Sequence, residues 1–284
     1  MVAYDTRTLV VGDMHLKEEL ILSRLEVAIS QTGARRVVFC GDYTDEWHSN
    51  EITMLDALDA LRSWVKRWRK RGIEIDLVVG NHDMQYLRRI PGPGTHIGLY
   101  EEVAGLLEDL DAQMATVVGD CLVTHAGVTA AWTSEHLELG SEYDSHSVCR
   151  ALNSMYEIGD ESELAKLDSA GPGRGGFETP GPLWADQSEL YQDPLPGIYQ
   201  IVGHTPVQSI DLWQIPSSDG SHTTAKLLFC DTFGITQNLA PIGDGSMLLV
   251  EGKSIQPITS DMLGIEPWPE ASLEWMTTFV LPFL

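Results

Sequence analysis

The chain has 284 residues, of which 43% are hydrophobic and 21% are charged. This composition is typical of a globular protein and excludes collagen-like and disordered chains. With 18 basic against 42 acidic residues, the formal net charge is −24, so the surface repels nucleic acid polymers and anionic membranes. A small phosphorylated partner remains compatible with this charge, because a bound metal can reverse the local field.

Four cysteines are spread along the chain without C-x-x-C spacing: Cys40, Cys121, Cys149 and Cys230. Three of them lie in apolar runs, which predicts reduced, mostly buried thiols in a cytoplasmic protein. The first residues show no basic segment followed by a long apolar one, so no signal peptide is expected. No apolar run reaches the ~20 residues that cross a bilayer, and the C-terminal FVLPFL is expected to be a packed tail.

The first part of the chain alternates short apolar runs with helix-like stretches. Strands are predicted at 8–11, 37–40 and 75–79, separated by helices at about 17–31 and 51–70. Strands that alternate with helices imply right-handed crossovers and a parallel sheet. The sequence therefore predicts an α/β fold.

The pattern becomes less regular after residue 100. Further strands are predicted at 122–125, 200–204, 227–231 and 247–251, with shorter candidates at 116–118 and 209–214. Helices are predicted at about 101–110 and 141–168, and the second is rich in acids, as expected for a solvated cap. The Gly- and Pro-rich segment 171–182 lacks the Lys-Ser/Thr ending of a P-loop, so it is interpreted as a structural loop.

Five of the predicted strands carry residues that can bind a metal at their ends. The motifs are GDMH at 12–15, GDYTD at 41–45, GNHD at 80–83, THAG at 124–127 and GHTP at 203–206. Because ligands bind at the carboxyl ends of strands in open α/β sheets, these residues are expected to converge. Each motif alone is more typical of a turn or a structural histidine, but five in this order indicate a site for divalent metals such as Mn²⁺, Fe or Zn²⁺.

The motifs GDMH, GDYTDE, GNHD, THAG and GHTP resemble those of the calcineurin-like metallophosphoesterase superfamily. The resemblance covers about residues 8–235 and is nearer to the phosphoprotein-phosphatase branch, including phage and bacterial enzymes. LWAD at 183–186 and FCDTFG at 229–234 are also similar to segments of that branch. Pro206 supports the branch too, because many other members carry a second histidine at this position.

The resemblance implies a four-layer α-β-β-α sandwich of two mixed sheets with an inserted helical cap. The metallophosphoesterase domain would span residues 1–258, with the cap and the Gly/Pro-rich loop inserted at 129–183, and residues 259–284 would form a C-terminal tail. Two divalent ions are expected, with Mn²⁺ as the first choice and Fe or Zn²⁺ as alternatives.

The same resemblance implies a role for each matching residue. The implied metal ligands are Asp13 and His15 for the first ion, Asp42 as a bridge, and Asn81, His125 and His204 for the second. His82 would protonate the leaving-group oxygen, and Asp45 would orient His82. Two ions held in this way can clamp a phosphate and activate a hydroxide for in-line attack.

One position of the family pattern differs in this chain. The segment after the second motif usually ends in Asp-Arg, and that arginine holds phosphate oxygens, but here the position is Glu46. A glutamate there would repel a phosphate unless a metal or an arginine compensates. Arg174 lies among glycines, which let the backbone approach a ligand closely, and it is predicted to supply the missing contact.

Together these features predict a dinuclear metal-dependent phosphoesterase, most similar to Ser/Thr protein phosphatases that act on phosphomonoesters. Its substrate would be a phosphorylated small molecule, a nucleotide or a phosphoprotein. Two alternatives stay open: a hydrolase of the diadenosine tetraphosphate type, and a non-catalytic metal-binding module that keeps the fold for protein interaction. A binding module has no need of a general acid, so the presence of His82 favours an enzyme.

Overall fold

The computed structural model describes residues 6–140, 142–216 and 223–275, and within these ranges ten strands form two five-stranded sheets. The first sheet contains β1 (Thr8–Val11), β2 (Arg36–Phe39), β3 (Glu74–Leu77), β9 (Met247–Glu251) and β10 (Ser254–Ile258). The second sheet contains β4 (Thr116–Val118), β5 (Cys121–Val123), β6 (Tyr199–Val202), β7 (Asp211–Pro216) and β8 (Thr223–Phe229).

Both sheets mix parallel and antiparallel strands. The first has the order β10-β9-β1-β2-β3, in which β1, β2 and β3 are parallel and β9 and β10 form an antiparallel pair beside β1. The second has the order β4-β5-β6-β8-β7, in which β5, β6 and β8 are parallel and both edge strands are antiparallel. Parallel strands bring the loops at their carboxyl ends to one edge of a sheet.

Ten α-helices flank the sheets within the described ranges. They are α1 (Glu18–Thr32), α2 (Glu51–Lys70), α3 (Asn81–Arg88), α4 (Tyr100–Asp109), α5 (Ala130–His136), α6 (Ser145–Ile158), α7 (Glu161–Leu167), α8 (Gln187–Gln192), α9 (Ser260–Leu263) and α10 (Trp268–Trp275). Short 3₁₀ turns lie at Ile97–Leu99 and Pro172–Arg174. Of the helices described, none has both the length and the apolar character needed to cross a membrane.

The layers of the fold follow from the alternation of side chains along each strand. Leu9 of β1 packs with residues of α1, α2 and α4, whereas its neighbour Val10 packs in the cluster that contains Ile201 of the second sheet. On the far side of the second sheet, Leu122 packs with Leu152 of α6. Because neighbouring residues of a strand face opposite sides, the sheets share an apolar layer and each carries helices outside. The predicted α-β-β-α sandwich is confirmed.

The prediction of one helix over 141–168 is wrong, because the structure has two helices there, α6 and α7. Gly159 ends α6 in the left-handed conformation, with φ at 66°. Asp160 then accepts a hydrogen bond from the backbone N–H of Glu163 at 2.9 Å. A glycine at the C-terminal cap followed by an aspartate at the N-terminal cap separates two helices. Residue 141 and the predicted FVLPFL tail lie outside the described residues.

Several short elements are absent from the sequence prediction. Helix α3 begins at Asn81, inside the GNHD motif, where the sequence predicts no helix. Helices α5 and α8 and strand β10 were also not predicted. With five to eight residues each, these elements contain too few turns or alternations for a periodic pattern to become visible.

Helices α5, α6 and α7 lie within the predicted cap at 129–183. Helices α9 and α10 follow β10, and Trp268 of α10 is fully buried, with its ring 4.9 Å from that of Phe233 in an edge-to-face arrangement. The described part of the segment after residue 258 therefore adds to the main core. The domain limits 1–258 and 259–284 stay a prediction.

The two sheets approach each other closely at Gly12, directly after β1, and a substitution there tests this contact. A Cβ atom there would lie 2.3 Å from the carbonyl oxygen of Cys230, directly after β8. Gly12→Ala is expected to lower the free energy of unfolding by about 1–3 kcal/mol, the usual cost of overpacking, as measured by urea denaturation.

Gly105→Ala is the matched control, because a Cβ atom at this position in α4 has no neighbour within 4 Å. Alanine in a helix interior should stabilise the protein by about 0.5–1 kcal/mol relative to glycine. If both alanine variants were equally stable, the sheets would not be in contact at Gly12.

Candidate metal centre

The loops after β1, β2, β3, β5 and β6 meet at one edge of the two sheets. They bring together all six predicted metal ligands: Asp13, His15, Asp42, Asn81, His125 and His204. Asp13, His15 and Asp42 form one group of potential ligand atoms, and Asp42, His125 and His204 form a second. In each group, the ligand atoms all lie within 4.8 Å of one another.

Asp42 belongs to both groups. Its Oδ2 atom lies 3.4 Å from Nε2 of His15 and 3.5 Å from Nε2 of His125. In the second group, Asn81 Oδ1 lies 2.8 Å from His125 Nε2 and 2.9 Å from His204 Nδ1. The two imidazole nitrogens are 3.0 Å apart. One carboxylate oxygen therefore lies between two sets of donor atoms.

These separations fit the spacing of ligands around a cation. Nitrogen and oxygen ligands lie about 2.0–2.2 Å from a divalent ion, so neighbouring ligands are roughly 3.0–3.5 Å apart. Carboxylate, imidazole and amide donors suit Mn²⁺, Fe or Zn²⁺, and neither group contains a cysteine among the described residues. The donor set thus fits two divalent cations that share Asp42.

Hydrogen bonds to backbone carbonyls fix the rings of two histidines. His15 Nδ1 donates to the carbonyl oxygen of Asp45 at 2.7 Å, and His125 Nδ1 donates to that of Cys40 at 2.8 Å. Since a carbonyl oxygen only accepts, Nε2 of each neutral ring carries the lone pair that a metal requires. Burial lowers the pKa of both histidines, that of His125 to about 4, so both rings are neutral near pH 7.

The two acids of the first group are buried close to each other. Burial raises the pKa of Asp42 to about 6. Burial also raises the pKa of Asp13, and the charges of Asp231 and Asp42 raise it further. A cation relieves such repulsion. The backbone N–H of His204 donates to both carboxylate oxygens of Asp13 at 3.0 Å, so a residue of the second group positions a residue of the first.

Two glycines leave the space that the acidic ligands occupy. A Cβ atom at Gly80 would lie 2.1 Å from Asp42 Oδ1, and a Cβ atom at Gly203 would lie 2.1 Å from Asp13 Oδ1. The backbones of the ligands themselves are unusual, with φ at 43° in His15, 53° in Asp42 and 65° in His204. Left-handed conformations of this kind outside glycine cluster at functional sites, where the surrounding structure holds them.

Asp83 links the loops after β2 and β3. Its carboxylate accepts hydrogen bonds from the backbone N–H groups of Gly80 at 2.8 Å, Asp42 at 2.9 Å and Tyr43 at 3.0 Å. Hydrogen bonds to a carboxylate are stronger than those between neutral groups. One buried side chain therefore caps the start of α3 and fixes Asp42 relative to it.

His82, the second residue of α3, contacts Asp45. Its Nδ1 donates to Asp45 Oδ2 at 2.9 Å, and Tyr86 Oη donates to Asp45 Oδ1 at 2.5 Å. Burial lowers the pKa of His82, but the charge of Asp42 and the hydrogen bond to Asp45 outweigh it and raise the pKa to about 9. A cation beside Asp42 would oppose this rise. With Nδ1 engaged, Nε2 is the nitrogen available to a ligand.

Glu46, at the position where the family pattern has an arginine, is paired with a lysine. Lys17 Nζ donates to Glu46 Oε2 and, at 3.0 Å, to the carbonyl oxygen of His15. The side chains of Lys17 and Glu46 are only 0% and 7% exposed, so the charge of Glu46 is balanced inside the protein. The compensation comes from a lysine rather than from a metal or an arginine, and it ties the loop of His15 to that of Asp42.

Arg174 lies beside the second group. Its Nη2 donates to Oγ1 of Thr205, which follows His204, and its Nε lies 3.2 Å from Asp186 Oδ2. Burial lowers the pKa of His204 well below its usual range, and the charges of His125 and then Arg174 lower it further. The side chain of Arg174 is 25% exposed. Its contact with a phosphate stays a prediction.

Sequence reasoning does not single out three polar residues of this site. Tyr86 follows His82 by four residues, a spacing that places both on one helix face, but α3 itself is not predicted. Lys17 lies outside every motif. Asp231, in FCDTFG, is buried next to the site, and its Oδ1 has no hydrogen-bond partner among the described residues.

The site opens into a cleft of about 590 Å³. Beyond the ligands, its walls include Trp47, His48, His96 and Ile235. The part of the lining that the structure describes contains three acids, Asp45, Glu46 and Asp231, and neither lysine nor arginine. A ligand that extends away from the centre would therefore meet aromatic and acidic side chains.

The two-sheet sandwich carries carboxylate, imidazole and amide donors at its strand ends. A family model for calcineurin-like phosphoesterases matches residues 6–208. The chain belongs to this family, and the resemblance found in its motifs is confirmed. A search of curated proteins finds no match.

Two solved structures resemble the chain at low sequence identity. A cold-active protein-tyrosine phosphatase from a Shewanella species has a TM-score of 0.53 and 17% identity, covering 90% of this chain and 81% of that chain. A protein serine/threonine phosphatase from Saccharomyces cerevisiae has a TM-score of 0.42 and 15% identity, with the same coverage of 90% and 81%. The first likeness concerns the fold alone.

Lys17→Met is expected to leave the buried carboxylate of Glu46 without a partner. Removing one side of a buried ion pair costs about 3–5 kcal/mol of unfolding free energy, which denaturant titration of metal-free protein measures. The double variant Lys17→Met/Glu46→Gln should recover most of the loss, because no uncompensated charge is left. A single variant as stable as wild type would mean that Glu46 is solvated without Lys17.

Proposed function

We propose that the protein is a dinuclear metal-dependent phosphomonoesterase whose chemistry resembles that of Ser/Thr protein phosphatases. The observation that carries this proposal is the position of Asp42 Oδ2, 3.4 Å from His15 Nε2 and 3.5 Å from His125 Nε2. A single oxygen with donors on both sides suits a ligand that bridges two cations about 3.5–4 Å apart. Membership of the calcineurin-like phosphoesterase family supports the same class of reaction.

The six ligands divide between two cations. Asp13, His15 and Asp42 would hold the first, and Asp42, Asn81, His125 and His204 would hold the second. When bound, the two ions would polarise the phosphoryl oxygens and make a hydroxide nucleophile available at neutral pH. Mn²⁺ is the proposed ion, with Fe or Zn²⁺ as alternatives because imidazole ligands suit these metals as well.

His82 would donate a proton to the leaving-group oxygen. Its Nδ1 is engaged by Asp45, and Tyr86 holds the other oxygen of that carboxylate, so the imidazole has a fixed orientation at the wall of the cleft. A general acid must reach its acceptor at roughly 2.6–3.2 Å, which requires such an orientation. A module that served only protein interaction would not need an imidazole oriented in this way, so the orientation of His82 favours an enzyme.

The lining of the cleft supports a phosphomonoester on a neutral or cationic carrier. A dinucleotide polyphosphate would place further negative charges beside Asp45 and Asp231, at a cost that grows in a low-dielectric cleft. Hydrolysis of the diadenosine tetraphosphate type is the second candidate, because Arg174 offers a positive charge beside Thr205. The ratio of kcat/KM for a phosphoserine peptide to kcat/KM for diadenosine tetraphosphate decides between the two.

A cytoplasmic location belongs to the same proposal. All four cysteines are free, and the Sγ atoms of Cys40 and Cys230 lie 3.7 Å apart without a disulfide. Reduced thiols are typical of that compartment. Nucleic acid polymers and membrane surfaces are not among the proposed partners, because the formal net charge is −24.

Removing the bridging charge tests the two-cation centre. Asp42→Asn is expected to lower both Mn²⁺ affinity and turnover of p-nitrophenyl phosphate by about 100-fold or more, because losing a residue that only supports a ligand already costs about 10–100-fold. Calorimetric titration and steady-state kinetics measure the two effects. Asp56→Asn, at an exposed acid of α2, changes the net charge equally and should leave both unchanged. Full turnover in excess chelator would refute the proposed function.

His82→Ala should leave metal content intact and lower kcat by about 10²–10⁴, the usual contribution of a general acid. The loss should be larger for an alkyl phosphate than for p-nitrophenyl phosphate, whose leaving group needs no protonation. His48→Ala is the control, because His48 lines the same cleft but bonds to the carbonyl oxygen of Gln237 at 3.1 Å. Equal losses for the two substrates would rule out His82 as the acid.

Arg174→Ala is expected to lower kcat/KM by roughly 10- to 150-fold, because a hydrogen bond to a charged group contributes about 1.5–3 kcal/mol. Arg174→Lys should recover only part of this, since lysine lacks the bidentate fork. Arg150→Ala, at an exposed arginine of the cap, provides the comparison. Wild-type kcat/KM in Arg174→Ala would assign the 171–182 loop a purely structural role.

A further inference from the structure

His204 differs from the other two histidines of the centre. The rings of His15 and His125 are fixed by hydrogen bonds from Nδ1 to backbone carbonyls. Nε2 of His204, the nitrogen that faces away from the other ligands, is buried and has no hydrogen-bond partner among the described residues. Metal-binding histidines usually donate from this second nitrogen to an acceptor that sets the plane of the ring. His204 must be held in another way.

The indole ring of Trp184 packs directly against His204. The two rings meet edge to face, with centroids 5.8 Å apart and planes at 82°. Trp184 Nε1 donates to Asp168 Oδ1 at 2.7 Å. Aromatic pairs of this geometry are attractive beyond the area they bury, and the hydrogen bond to Asp168 stops the indole from turning. The imidazole plane of His204 is therefore supported from outside the ligand group.

Asp168, the residue after α7, connects Trp184 to helix α3. Its Oδ2 accepts a hydrogen bond from Nη1 of Arg88, which is the last residue of α3. The first residue of α3 is Asn81, whose Oδ1 lies 2.9 Å from His204 Nδ1. The side chains of Arg88 and Asp168 are 11% and 12% exposed, so water screens this ion pair little.

The geometry points to Trp184, oriented by Asp168, as a positioning residue for His204 and thereby for the second cation. This inference rests on the proposed metal centre. Arg174 also reaches this segment, but through the side chain of Thr205, which leaves the imidazole of His204 free to turn. The cap thus contributes to the centre through Asp168, a residue that sequence reasoning does not connect with metal binding.

Substitutions at Trp184 and Asp168 separate positioning from general stability. Trp184→Phe keeps an aromatic ring but loses the donor to Asp168, and Asp168→Asn keeps the acceptor shape but loses the charge that holds Arg88. Trp213→Phe is the matched control. Trp213 is also half-buried and donates Nε1 to an aspartate, Asp211, at 2.6 Å, but its ring packs on Phe229 and Tyr191 instead of a ligand.

Titration of metal-free protein with Mn²⁺, followed by calorimetry, provides a readout that does not depend on turnover. Wild type is expected to bind two equivalents. Trp184→Phe and Asp168→Asn should lower the affinity for one equivalent by about 10–100-fold, the usual effect of losing a residue that orients a ligand, and leave the other unchanged. Trp213→Phe should bind as wild type does.

The outcomes that overturn the inference are distinct from those that overturn the proposed function. Two equivalents bound with wild-type affinity by Trp184→Phe would refute the role of Trp184. The same loss in Trp213→Phe would also refute it, because the effect would then follow from any lost indole hydrogen bond. Fewer than two equivalents in wild type would refute the dinuclear centre itself. Thermal unfolding of the metal-free variants verifies that each protein is folded at the titration temperature.

Discussion

The centre depends on how one carboxylate, that of Asp42, is held. Oδ1 accepts the backbone N–H of His82 at 2.9 Å, at the start of α3, where the partial positive charge of a helix end favours an anion. Gly80 leaves the room for this contact. With Oδ1 fixed, Oδ2 can only face His15 and His125. The loops of both sheets are therefore arranged around a single oxygen atom.

Glu46 stands where the family pattern has an arginine, and in this chain it forms a buried ion pair with Lys17. An arginine at this position would leave a positive charge facing the substrate, whereas Glu46 faces inward to Lys17. The ion pair connects two ligand loops, so it stabilises the arrangement of donors rather than the bound anion. A second positive charge near the centre is that of Arg174, which lies in the 171–182 loop and donates to Thr205 after β6.

The candidate metal ligands were predictable from sequence because their signals are local. Each follows a short apolar strand within a few residues, and parallel strands bring their ends together. The two-sheet arrangement came from the family resemblance, since periodicity alone indicated only an α/β fold. Gly159 followed by Asp160 is likewise a local signal for a helix break, and it was available in the sequence.

Contacts between distant loops were not predictable in this way. Lys17 and Glu46 are 29 residues apart, and Trp184 and Asp168 are 16 residues apart. No pattern in the chain marks such pairs, because each depends on how separate loops pack after the sheets have formed. Helix α3 was not predicted for a different reason. It has only eight residues, and the first three belong to the GNHD motif, which read alone is typical of a turn.

The candidate ligands of the second group come from both sheets, so a bound cation would affect the stability of the folded protein as well as its activity. Asp42 and Asn81 follow strands of the first sheet, whereas His125 and His204 follow strands of the second. A cation bound there would act as a cross-link between the two halves of the sandwich. A ligand at a hundredfold excess over its Kd adds about 2.7 kcal/mol to the stability of the native state. Metal supply would therefore govern abundance as well as activity, because chains made during metal starvation would open more often and be removed by proteases.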